Sequence, residues 1–359
     1  MAARVMIMAG GTGGHVFPAL AVAEELRARG CEVSWLGTPD SFESRTVPQH
    51  DIPLDTIAAH RLRGQGLLGK LLAPLHLLRA MLQAGRVLRS RRPNVLLGMG
   101  GFASGPGGLV GRLLRLPLVI HEQNTVPGLT NRWLARIATL TLQAFPGSFP
   151  ESANARVCGN PVRAEIVALP DPQQRRQARA DTPLRLLVVG GSLGAQALNE
   201  LLPQALALLP AAQRPQVLHQ AGRGKYQATL QHYAEAGVEA EVREFLDDMP
   251  AAYSQADLVV CRSGALTVSE LAAVGVAALL VPFPHAVDDH QTRNAQFLVD
   301  AGAARLIQQR ELDPQRLAAV IEELCGSPRT LLQMAVAARA QARPDATSCV
   351  ADACLEVAA

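Results

Sequence analysis

The chain has 359 residues, 48% of them hydrophobic, enough to bury two cores of ordinary domain size. Its net charge of +3 hides an asymmetry: residues 1–160 hold eight more basic than acidic residues, and residues 161–359 hold five more acidic than basic. Aromatics are only 4% and no basic run interleaves stacking side chains, which argues against nucleic acid as a partner and leaves an anionic small molecule or a membrane surface for the basic half.

The sequence starts almost at once on an apolar strand, leaving no room for a signal peptide. That strand, Arg4-Val-Met-Ile-Met8, runs into Ala-Gly-Gly-Thr-Gly-Gly-His15 and then into Val16, Ala19, Leu20, Ala23 and Leu26 at helical spacing, ending near Gly30. A buried strand that ends in glycines and opens a helix presents free backbone N–H groups and the positive end of a helix dipole, which suits a diphosphate. The turn does not fit G-x-G-x-x-G, since Val16 stands at the last glycine position, and the next strand, Glu32–Leu36, ends in Gly37 rather than in a ribose-binding acid. No Walker loop occurs.

Between Leu71 and Arg86 the polar residues His76, Arg79, Gln83 and Arg86 form one stripe on an otherwise apolar helix. Lys70, Pro74, His76 and Arg79 interrupt it too often for a membrane span. Two readings stand: a helix lying in a membrane interface, flanked by Arg61, Arg63, Lys70, Arg89, Arg91 and Arg92, or one buried between neighbours. In the first, Leu72, Leu75, Leu78, Arg79, Leu82 and Arg86 make the contact.

Strands follow at Val95–Leu97 and Leu118–Ile120, with loops Met99–Gly108 and His121–Asn124 after them. Prolines at Pro146–Pro150 and Pro161–Pro183 mark a crossover, with the boundary near Asn160-Pro161. The second half repeats the pattern: strands at Leu184–Val189, Gln216–Gln220, Leu258–Cys261 and Ala278–Val281, a second glycine turn at Gly190–Ala195, and a final helix about Arg329–Arg343. The expected fold class is α/β, two doubly wound parallel-sheet domains facing a cleft, with ligands beyond the carboxyl ends of the strands. Cys31, Cys158, Cys261, Cys325, Cys349 and Cys354 show neither metal-ligand spacing nor a disulfide framework, and reduced thiols are expected.

Gly10-Gly-Thr-Gly-Gly-His15, Gly98-Met-Gly-Gly-Phe-Ala-Ser-Gly-Pro106, His121-Glu-Gln-Asn124, Gly159-Asn-Pro-Val-Arg163, Gly190-Gly-Ser-Leu-Gly-Ala195 and Cys261-Arg-Ser-Gly-Ala-Leu-Thr-Val-Ser-Glu270, in this order, closely resemble the MurG family. These are peripheral membrane N-acetylglucosaminyltransferases of bacterial peptidoglycan synthesis. The resemblance covers essentially the whole chain and implies a GT-B fold, with residues 1–160 as the acceptor- and membrane-binding domain, 161–340 as the UDP-N-acetylglucosamine domain, and 341–359 as a tail packing back on the first. It implies transfer from UDP-N-acetylglucosamine to lipid I on the cytoplasmic face of the inner membrane, an anionic membrane surface and other cell-wall and division proteins as partners, and a same-fold UDP-sugar 2-epimerase as the alternative.

Carried over by motif, the donor contacts are Thr12, Gly13, Gly14, Asn124, Arg163, Ser192, Leu246, Ala265, Leu266, Thr267, Val268, Ser269, Glu270 and Gln291. Glu270 is suited to the ribose hydroxyls, and Ser192 with its neighbouring amides to the diphosphate. The catalytic base is His15, with Glu122 as the rival. No cofactor and no metal are expected: a D-x-D pair is missing, and Asp247-Asp248 and Asp288-Asp289 would point to opposite sides if extended.

Overall fold

Short apolar runs become the buried strands of two all-parallel sheets in a computed structural model that describes residues 2–59, 67–179, 182–191 and 193–358. Arg61, Arg63 and Ser192 lie outside these residues, as does the side chain of Lys70. Contacts divide the chain into two units, Met1–Arg163 with Arg343–Ala359, and Ala164–Ala342.

The first unit carries β1 (Arg4–Met8), β2 (Glu32–Gly37), β3 (Leu54–Thr56), β4 (Val95–Gly98), β5 (Leu118–Glu122), β6 (Leu140–Gln143) and β7 (Arg156–Val157) in the order β3-β2-β1-β4-β5-β6-β7. Strands covered on both faces need apolar residues throughout, and β1 and β4 supply them. On one face Val5 and Ile7 pack with Val16, Leu20 and Ala23 of the helix Gly13–Ala28, and with Val350, Ala351 and Cys354 of the helix Ala346–Ala358. On the other, Met6 and Met8 pack with Ala80, Ala84 and Leu88 of the helix Leu67–Arg91.

The second unit has β8 (Arg185–Val189), β9 (Gln216–Gln220), β10 (Glu241–Arg243), β11 (Leu258–Cys261), β12 (Ala277–Leu280) and β13 (Ala304–Leu306), ordered β10-β9-β8-β11-β12-β13. Leu186, Val188 and Val260 meet Leu198 and Leu202 of the helix Gln196–Leu208 and Leu317 and Ile321 of the helix Pro314–Cys325. In each sheet the order reverses beside the first strand, at β1/β4 and at β8/β11. That reversal opens a crevice at the carboxyl edge, where both glycine turns lie.

One expectation is corrected. Cys158 and Cys349 are joined in a disulfide, with Cα atoms 5.9 Å apart; their separation of 191 residues hides the pairing from any spacing rule. Asp288 and Asp289 are not extended, since both take left-handed backbone at φ 54° and 49°.

Candidate active site

The first glycine turn is organised by a residue that sequence reading did not single out. Glu43, buried after β2, accepts hydrogen bonds from Gly11 N–H (2.9 Å), Thr38 N–H (3.1 Å) and the Thr38 hydroxyl (2.8 Å). Burial alone would raise its carboxyl, but these donors outweigh it and hold the pKa below the usual carboxylate value. A Cβ on Gly10 would lie 2.4 Å from the Glu43 carboxylate, and one on Gly101 (φ +93°) 2.6 Å from the Gly10 carbonyl oxygen, so the loop after β4 closes on the backbone of the loop after β1 only with glycine at 101. Thr12 is the N-cap of the helix Gly13–Ala28 with extended backbone, and its carbonyl accepts from His15 and Val16 N–H. The N–H groups of Gly13 and Gly14 therefore stand in the helix's unpaired first turn, with no acidic side chain there to occupy them.

His15, half-buried in that turn, reaches across to the end of β5, its Nδ1 2.9 Å from Gln123 Oε1. His121 and Glu122 belong to the strand rather than to the loop after it. Glu122 is buried, and its two oxygens are engaged by four N–H donors: Asn124 N–H (2.9 Å) and Nδ2 (3.2 Å) on one, Gly128 N–H (3.0 Å) and Asn131 Nδ2 (2.9 Å) on the other. Such a carboxylate shapes the loop that carries Asn124 and has little capacity left for a substrate proton. Arg163, half-buried, closes the unit's first segment.

In the second unit, the turn after β8 is built by close backbone approach: a Cβ on Gly194 (φ +69°) would fall 2.0 Å from the Ala221 carbonyl oxygen of the loop after β9. After β11, Gly264 caps the helix Ala265–Val274, which carries Leu266, Thr267, Val268, Ser269 and Glu270. Ser263, just before the cap, is fully buried, and its hydroxyl has no partner among the described residues, an orphan donor at a helix N-terminus that the sequence did not reveal. Glu270 is 7% exposed rather than a solvated helix residue, and accepts from the Tyr253 hydroxyl at 3.2 Å. Leu246 is buried in the loop after β10, and Gln291, in the first turn of the helix His290–Asp300, accepts from Phe283 N–H at 2.9 Å. Among the described residues no three His, Cys, Asp or Glu side chains form a metal-binding group.

Away from these loops, the helix Leu67–Arg91 shows Leu72, Leu75, Leu78, Arg79, Leu82 and Arg86 to solvent, with Leu75 62% and Leu82 59% exposed. Gln83, placed on the polar stripe, instead turns inward to accept from Ala58 N–H at 2.7 Å. Exposed Leu113 follows on the helix Ser104–Leu113, which packs beside it, and exposed Leu129 and Trp133 on the next, Leu129–Leu134, with the Arg136 guanidinium 4.5 Å from the Trp133 ring centre. No described helix is long and apolar enough to cross a membrane.

Residues 5–143 match the glycosyltransferase family 28 N-terminal domain and residues 185–349 the family 28 C-terminal domain. A UDP-N-acetylglucosamine–N-acetylmuramyl-(pentapeptide) pyrophosphoryl-undecaprenol N-acetylglucosamine transferase of Chromohalobacter salexigens is 58% identical over 98% of this chain and 96% of its own. The crystal structure of Acinetobacter baumannii MurG superposes with a TM-score of 0.87 at 46% identity, covering 99% of both chains. The chain belongs to the MurG family. A putative UDP-N-acetylglucosamine 2-epimerase from Listeria monocytogenes, with a TM-score of 0.67 at 16% identity over 98% of this chain and 95% of its own, shares the fold alone. Membership in the MurG family accounts for the paired parallel-sheet units as those of a GT-B glycosyltransferase.

Proposed function

We propose that this chain is an inverting glycosyltransferase that moves N-acetylglucosamine from its UDP donor to the 4-hydroxyl of N-acetylmuramic acid in undecaprenyl-diphosphate-MurNAc-pentapeptide, lipid I, forming lipid II. The observation that carries the reading is the near-complete match, at 58% identity, to a transferase named for this donor and acceptor. The acceptor hydroxyl attacks the α-linked anomeric carbon as the bond to UDP breaks, giving a β-1,4 linkage. His15 takes the hydroxyl proton; the saturated carboxylate of Glu122 favours His15 over it. Negative charge gathers on the departing diphosphate. The N-terminus of the helix Ala265–Val274, with Ser263 at its start, offers fixed N–H and O–H donors for it, and Ser192, which lies outside the described residues, is assigned to the same diphosphate by its motif. Glu270 takes the ribose hydroxyls, backbone groups at Leu246 the uracil edge and Gln291 a sugar hydroxyl, while Thr12, Gly13, Gly14, Asn124 and Arg163 complete the donor contacts.

With labelled UDP-N-acetylglucosamine, a short-chain lipid I analogue and EDTA present, labelled product is expected at the rate seen with magnesium. Epimerised donor and no product would overturn the reading in favour of the isomerase.

The exposed leucines and arginines of the helix Leu67–Arg91 form the proposed contact with the cytoplasmic face of the inner membrane. Each leucine buried there gains on the order of 1 kcal/mol, and each arginine near an anionic surface about as much. Cosedimentation with phosphatidylglycerol-rich vesicles is expected to weaken at least about tenfold in a Leu75→Glu, Leu82→Glu double variant that keeps its activity on a water-soluble acceptor. Unchanged cosedimentation would place the contact elsewhere.

A further inference from the structure

Three side chains and one carbonyl of the first unit form a continuous hydrogen-bonded line. His15 Nδ1 lies 2.9 Å from Gln123 Oε1. Gln123 Nε2 lies 3.2 Å from His121 Nδ1 and 3.2 Å from the His121 carbonyl oxygen. His121 Nε2 lies 2.8 Å from the Gly159 carbonyl oxygen. His121 and Gln123 are buried, so bulk water does not interrupt the line.

Carbonyl oxygens only accept, and that settles the direction of every bond. Gly159 requires the proton of His121 on Nε2. Burial, outweighing the hydrogen bond to Gly159 and joined by the neighbouring His15, lowers the His121 pKa to about 4, so the ring is neutral near pH 7 and its Nδ1 is a lone pair. The Gln123 NH2 must then face His121, donating to that lone pair and to the His121 carbonyl. The reverse orientation would set the amide oxygen against two acceptors. Gln123 Oε1 is thereby turned to His15, whose Nδ1 must donate. Gly100 lies close against this side of the ring: with φ +96°, a Cβ there would stand 2.9 Å from His15 Nδ1. Among the described residues, His15 Nε2 has no hydrogen-bond partner.

We infer that Gln123 and His121 are positioning residues that fix His15 in its Nδ1–H tautomer and reserve Nε2 as the lone pair that receives the acceptor's proton. Histidine side chains in water favour the opposite tautomer, so the line opposes an intrinsic preference. The inference rests on the reading of His15 as the base. As the acceptor O–H bond breaks and the new C–O bond forms, the proton passes to Nε2 and UDP leaves with the bonding electron pair. The imidazolium keeps its Nδ1–H bond to the amide oxygen and returns the Nε2 proton to solvent.

The test uses the full chain labelled with 15N in its histidine rings, without ligand, with the His15 signals assigned by their loss in His15→Asn. The expected result is His15 protonated on Nδ1 and bare on Nε2, and His121 the reverse. In Gln123→Met, His15 should move to the Nε2–H form and kcat should fall ~10–100-fold, less than loss of the base itself, while the KM for UDP-N-acetylglucosamine stays within about twofold. Gln123→Glu keeps an acceptor oxygen toward His15 Nδ1, and with its other oxygen protonated toward the His121 lone pair it should retain the wild-type His15 tautomer. An Nε2–H His15 in the parent protein, or a Gln123→Met protein with tautomer and kcat unchanged, would overturn the inference. Full activity of His15→Asn would remove the base reading by itself, because the ring tautomers report the line independently of turnover.

Discussion

Replacing His15 by asparagine is expected to lower kcat for N-acetylglucosamine transfer ~10²–10⁴-fold, the span usual for a positioned general base, with little change in the KM for the donor. Its rival behaves differently. Glu122→Gln would turn an amide NH2 toward N–H groups of Asn124, Gly128 or Asn131, leaving buried donors facing a donor. That change is expected to cost about 1–3 kcal/mol of stability, read by thermal unfolding, and to affect turnover through the shape of the loop. A Glu122→Gln protein that melted like its parent yet lost kcat as His15→Asn does would transfer the base role to Glu122.

Removing the Glu270 carboxylate is the second large effect. Hydrogen bonds to a charged group contribute ~1.5–3 kcal/mol, so Glu270→Ala is expected to weaken UDP binding ~10–100-fold in calorimetric titration. Tyr253→Phe separates the ligand's share from the internal one. It removes the 3.2 Å bond from the tyrosine hydroxyl while leaving the carboxylate in place, and UDP affinity should change less than about threefold. Undiminished UDP binding by Glu270→Ala would end the donor-site assignment on the helix Ala265–Val274.

How much of this was legible in the sequence depended on how local the signal was. The central strands β1, β4, β8 and β11 are continuous apolar runs, the first three followed by glycine turns, and such strands announce themselves because both of their faces are buried. The edge strands β3, β7, β10 and β13, two or three residues each, carry too few residues for any periodicity. Within the site, the glycine turns were visible and their supports were not. Glu43 stands 32 residues from the Gly11 amide it holds, on a helix of five residues with no amphipathic pattern. Gln123 lies inside the His121–Asn124 motif, but its role comes from His15, 108 residues away, and from a carbonyl beyond β7. The aliphatic run of β5 ends at Ile120, yet the strand continues through His121 and Glu122 because β6 pairs with them.

The helix Ala346–Ala358 puts Val350, Ala351 and Cys354 at the centre of the first unit, although the whole of Ala164–Ala342 precedes it in the chain. The second unit is thus an insertion within the first. During synthesis, one hydrophobic interior can close as soon as its own residues have emerged, while the other stays open to solvent until the insertion has been made. The half that carries His15 and the exposed leucines is the half whose burial is completed last.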